Sequence, residues 1–106
     1  MPEAAAKPEA GANMRLHAVV EGRVQNVGFR ATTHHEALRL NLAGWVRNRH
    51  EGKVEVLAEG SEEDLKTFLA FLHHGPRTAH VSRVLVQWSP APAEAAPQPF
   101  RVKPTI

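Results

Sequence analysis

An α+β fold is the class this sequence predicts: a ferredoxin-like βαββαβ sandwich, two helices packed on one face of a mostly antiparallel sheet, with a short C-terminal strand. Three observations carry it. Apolar and polar residues alternate from Arg15 to Glu21 and again from Lys53 to Glu59, the period of a strand with one buried face. Helical spacing occurs twice, at Phe29, Thr33, Ala37, Leu40 and at Leu65, Phe68, Leu69, Leu72. The two helical stretches fall between strand stretches in the order of a split β-α-β unit.

The first strand places Leu16, Ala18 and Val20 on one face and Arg15, His17 and Glu21 on the other, with Val19 also on the wetter side. Gly22 to Gly28 has no periodicity and reads as a loop. The first helix follows from Phe29 to Leu40, with Asn41 suited to a left-handed cap. A second strand spans Gly44 to Asn48, and His50-Glu51-Gly52 supplies the turn into the strand Lys53 to Glu59. Ser61 followed by Glu62, Glu63 and Asp64 reads as a capped start for the second helix, and Gly75-Pro76 stops it. Val81 to Trp88 is rich in β-branched residues and reads as a strand; Phe100 to Lys103 reads as a short final one.

Chain direction then fixes a neighbourhood. If the first strand runs up, the helix returns and the second strand runs up again, leaving a gap that the third fills running down. Right-handed crossovers put both helices on one face. The loop Gly22 to Arg30 and the end of the second strand at Asn48 therefore share one sheet edge.

The 106 residues suit one small domain at 14–106, preceded by an Ala/Pro/Glu-rich tail at 1–13 that is expected to be disordered. A stiff Pro/Ala-rich loop is expected at 89–99; tail and loop together hold six of the eight prolines. The absence of cysteine excludes disulfides, thiolate zinc sites and a cysteine nucleophile, and suits a cytoplasmic protein. No apolar run reaches the roughly 20 residues of a membrane helix. Net charge is only +2, but Gly22 to His50 holds Arg23, Arg30, Arg39, Arg47 and Arg49 against Glu36 alone, a local surplus that suits an anion.

The loop adds detail. A helix start offers unpaired backbone N–H groups and a positive dipole end, which together make a cradle for phosphate or carboxylate. Gly28 permits positive φ or close approach of a ligand, and Asn26 tolerates the left-handed region. Arg30 sits in the first helical turn, where a cation opposes the dipole unless an anion is bound nearby.

The stretch Gly22-Arg23-Val24-Gln25-Asn26-Val27-Gly28-Phe29-Arg30, followed by Gly44-Trp45-Val46-Arg47-Asn48 and Glu51-Gly52-Lys53-Val54-Glu55, resembles the signature of the acylphosphatase family, and the likeness runs from about Met14 to the end. It implies hydrolysis of the carboxyl-phosphate bond of acyl phosphates, without cofactor, metal or covalent intermediate. The resemblance places the backbone amides of Gln25, Asn26, Val27, Gly28, Phe29 and Arg30 around the phosphoryl group. It gives Arg30 a two-pronged contact with the phosphoryl oxygens and Asn48 the attacking water. Asn26 and Asn41 stand where the family usually has glycine. A small-molecule substrate, a monomer, and no nucleic-acid or membrane partner are expected.

Other readings are weaker. The adjacent pairs His34-His35 and His73-His74 point apart on a helix and lack the i, i+4 geometry of a helical zinc site. Nucleic-acid binding on this fold would want aromatics on the central strands, and Arg15 to Glu21 and Lys53 to Glu59 have none. Trp45 reads as packing. A carbamoyl phosphate-directed relative of a domain from larger maturation proteins is a further alternative.

Overall fold

The alternation of Leu16, Ala18 and Val20 with Arg15, His17 and Val19 becomes strand β1, Met14–Arg23, in which Leu16, Ala18 and Val20 are fully buried. A computed structural model describes residues 13–106, and along them follow α1 (Phe29–Arg39), β2 (Ala43–Asn48), β3 (Val54–Gly60), α2 (Glu62–His74), β4 (His80–Pro90) and β5 (Arg101–Val102). The disordered tail expected at 1–13 lies outside the described residues except for Asn13.

The sheet order is β4-β1-β3-β2-β5, antiparallel throughout except for the β2–β5 pair. β3 thus fills the gap between β1 and β2, as the crossover argument requires. The register sets Leu16 opposite Ala58 and Ala18 opposite Val56, so one face of the three central strands is continuously apolar.

Both helices cover that face, by different means. α2 lays down Leu65, Phe68 and Leu72, each fully buried, and Ser61 caps it by accepting the Asp64 N–H at 3.1 Å. Each such side chain contributes roughly 1.5–3 kcal/mol by burial, and the cap about 1 kcal/mol. α1 buries only Phe29, Thr33 and Ala37, a narrow stripe of mostly small residues. Its start is fixed instead by Phe29, whose ring packs 6.2 Å from that of Phe71. Gly75 ends α2 with φ 66°, and a Cβ there would lie 2.5 Å from the Phe29 ring, so this glycine makes room for the start of the other helix.

The ends of α1 and β4 differ from the sequence reading. α1 stops at Arg39, with Leu40 as its cap and Asn41 left-handed at φ 58°. β4 continues through Ser89 and Pro90, which pair with Arg15 and Met14. Proline is tolerated there because β4 is an edge strand whose outer side has no ladder partner. The remainder of the Pro/Ala-rich stretch crosses the end of the sheet away from Asn48. There Ala96 N–H donates to Glu59 at 3.1 Å, Gly44 N–H to Pro97 O at 2.7 Å, and Phe100 is buried against Phe68. No described helix is long and apolar enough to cross a membrane.

Candidate active site

α1 begins without a conventional cap. Gly28 occupies the N-cap position with φ 82° and ψ 13°, no side chain caps the helix, and its first turn carries no acidic residue. The first helical bond runs from Thr32 N–H to Gly28 O at 3.0 Å, so the amides before it stand free at the positive end of the helix. A Cβ on Gly28 would meet nothing within 4 Å. The glycine is required by its positive φ and by the open space over it, which leaves its main chain accessible to a ligand. Asn26, at φ 63°, makes the other left-handed bend of the loop.

These groups open into a cleft of about 250 Å³, lined by Asn26, Gly28, Phe29, Arg30, Ala31, Asn48 and Val102. The sheet edge inferred from topology is therefore real: Arg30 and Asn48, 18 residues apart in sequence, line one cavity. Asn48 pairs with the buried Val54 in the β2–β3 register, and its carboxamide oxygen is buried with no hydrogen-bond partner. A buried carbonyl oxygen without a donor is costly, and in a polar cleft it marks a place for a water or a ligand donor.

Of the six residues expected to cradle a phosphoryl group, Asn26, Gly28, Phe29 and Arg30 line the cleft, whereas Gln25 and Val27 do not. Phe29 does so while its side chain is buried in the core. Val27 O instead accepts a hydrogen bond from Thr78 Oγ1 at 2.6 Å. The Gln25 side chain turns to the β2–β3 hairpin, its amide nitrogen donating to Arg49 O at 2.7 Å and Lys53 O at 2.9 Å. Ala31 and Val102 are cleft residues that the sequence did not single out. Ala31 was visible only as the next position of the helix, and Val102 only through the parallel docking of β5 on β2.

The local arginine surplus is smaller than its count. Arg39 pairs with Glu36, Arg47 with Glu55 at 2.9 Å and Arg49 with Glu51 at 3.0 Å. Among the described residues, Arg23 and Arg30 have no carboxylate within ion-pair range, and of these only Arg30 lines the cleft. No group of three or more His, Asp or Glu among the described residues could hold a metal ion. His34 and His74 contact main-chain carbonyls, of Phe100 and Ala70.

Fold and site together define a class: an α+β sandwich with a cleft lined by a loop leading into a helix and faced by a strand-end asparagine. The family model described as Acylphosphatase matches residues 16–102. An acylphosphatase of Pseudomonas paraeruginosa is 54% identical over 79 residues, 74% of this chain and 87% of the relative. One of Salinibacter ruber is 46% identical over 90% of this chain and 98% of its own. The crystal structure of acylphosphatase from Bacillus subtilis superposes with a TM-score of 0.78 at 37% identity, covering 85% of this chain and 98% of that one. The chain belongs to the acylphosphatase family. It is accordingly an enzyme, a hydrolase of acyl phosphates.

Proposed function

We propose that the cleft hydrolyses the carboxyl-phosphate bond by direct in-line attack of water, without metal or covalent intermediate. The free amides at Asn26 to Arg30 receive the phosphoryl oxygens, and the Arg30 guanidinium takes two of them in a planar fork. The Asn48 carboxamide holds the water: its unpartnered oxygen accepts a hydrogen from the water and leaves an oxygen lone pair to face phosphorus. The water oxygen bonds to phosphorus as the bond to the acyl oxygen breaks. The carboxylate leaves with that electron pair, and the water proton passes to the phosphate oxygens. Carboxylate is a good leaving group, so no general acid is needed, and positioning with charge stabilisation suffices.

The observation that carries this reading is the convergence in one cleft of an arginine without a carboxylate partner and a buried, unpartnered asparagine oxygen. Hydrolysis of benzoyl phosphate in excess chelator tests it. Arg30→Ala and Asn48→Ala are each expected to lower kcat/KM by about 10²-fold or more, the scale of removing one transition-state contact, with unchanged circular dichroism. Full activity in either folded variant removes that residue from the mechanism.

A further inference from the structure

Resting on that reading, we infer that the Gln25 side chain is a positioning residue, setting the distance between the phosphate cradle and the Asn48 carboxamide. Its amide nitrogen makes two bonds, 2.7 Å to Arg49 O and 2.9 Å to Lys53 O, and these are its contacts across 24 and 28 residues of sequence. Arg49 immediately follows Asn48, and Lys53 immediately precedes Val54, the register partner of Asn48. One side chain thus ties the loop that receives phosphate to the strand end that holds water.

The hairpin does not need these bonds for itself. Lys53 O already accepts Arg49 N–H at 2.8 Å, and Arg49 O accepts Gly52 N–H at 3.0 Å. Removing Gln25's amide therefore leaves neither carbonyl without a donor. What is lost is the connection between two pieces of backbone that no other side-chain hydrogen bond joins among the described residues. The loop's other side-chain ties do not constrain Asn48: Thr78 Oγ1 to Val27 O runs to the segment between α2 and β4, and Thr32 Oγ1 to Gly28 O stays within the start of α1. Because in-line attack depends on placement to within about 1 Å, the connection acts on the rate of the chemical step more than on phosphate binding.

Steady-state kinetics with benzoyl phosphate, inhibition by inorganic phosphate, and a double-mutant cycle test the inference. Gln25→Leu is expected to lower kcat about 10- to 100-fold while the inhibition constant for phosphate changes little. In the Asn48→Ala background the same substitution is expected to cost less than about threefold, because a residue that acts through Asn48 has nothing left to position. Gln25→Glu presents a carboxylate to two carbonyl oxygens; its kcat relative to wild type is expected to rise as pH falls and the protonated acid regains one donor. Losses that multiply in the double mutant, a weakened phosphate affinity with kcat intact, or a flat pH ratio overturn the inference. A fully active Asn48→Ala enzyme overturns the underlying reading and this one with it, whereas an impaired Asn48→Ala enzyme with multiplying losses overturns this one alone.

Discussion

The face of the sheet turned away from the helices and the cleft at its edge treat charge in opposite ways. On the open face, Arg15 reaches Glu59 at 2.7 Å, His17 and Arg47 reach Glu55 at 2.7 and 2.9 Å, and Lys53 and Arg83 reach Glu21 at 3.2 and 3.0 Å. Glu55 and Glu59 are buried beneath their partners. Trp45 lies among these charges, with the Arg47 guanidinium 4.5 Å and the Lys103 ammonium 4.8 Å from its ring. In the cleft, Arg30 stands at a positive helix end with no carboxylate in reach, next to an asparagine oxygen with no donor. The open face is complete within the chain, whereas in the proposed mechanism the cleft is completed by an anion and a water. The distinction separates charges that hold the fold from charges that await a ligand, and net charge averages over both.

The most damaging change on the cleft side that preserves charge is Arg30→Lys. A single ammonium cannot reproduce two parallel N–H contacts, so kcat/KM for benzoyl phosphate is expected to fall about 10²-fold despite the retained cation. Near-full activity would mean that the cleft asks only for a positive charge, and the contrast in geometry would dissolve.

On the open face the corresponding change is Glu55→Gln, which leaves Arg47, Arg49 and His17 beside a neutral group. About 3 kcal/mol of stability is expected to be lost, read from the urea midpoint, with kcat changed far less than by Arg30→Lys. Such a variant with full stability and lost activity would reverse the roles assigned to the two regions.

The same carboxylate gives the comparison a pH axis. Burial would push the Glu55 carboxyl up, but its hydrogen bonds from His17 and Arg47 outweigh that and hold it below its ordinary range. Glu21 is also held low, mainly by its hydrogen bond from Lys53. A carboxyl depressed in the folded state contributes stability above the unfolded range, around pH 4, and that contribution is lost as pH falls through the folded value. The stability gap between wild type and Glu55→Gln is therefore expected to narrow steadily as urea midpoints are followed from about pH 6 to about pH 2. A constant gap would show that packing, not charge, is what Glu55 supplies.

Period and direction alone made the central order β1-β3-β2, the two helices and the meeting of Arg30 with Asn48 legible, because they depend on local alternation and right-handed crossover. The left-handed bends at Asn26 and Asn41 were legible for a similarly local reason. Features that depend on contact between distant segments were not. The Gln25 side chain reads as one more loop amide until the hairpin is brought beside it, and Val102 becomes a cleft residue only when β5 docks parallel to β2. Arg47 counted toward an anion site in sequence, but its cross-strand partner in the β2–β3 register is Glu55, on the opposite face from Asn48.

The smallest expected effect belongs to Asn26→Gly, and it asks whether the cleft is made by main chain or by side chains. Asn26 is exposed, left-handed at φ 63°, and lines the cleft. Glycine adopts that conformation without strain but loses more entropy on folding, so the two terms offset and stability is expected to change by less than about 0.5 kcal/mol. Asn26→Ala keeps a Cβ and loses the polar group that eases the left-handed bend; it is expected to cost about 1–2 kcal/mol. If the amides alone receive the phosphoryl group, Asn26→Gly holds kcat/KM within about threefold of wild type, a difference of about 0.7 kcal/mol. A tenfold gain would instead identify the asparagine side chain as an obstruction in the cradle, and a tenfold loss as a contact with substrate. Either result would move this position from the backbone's account to the side chain's, and would mean that the cleft, unlike the open face, is tuned by what projects into it.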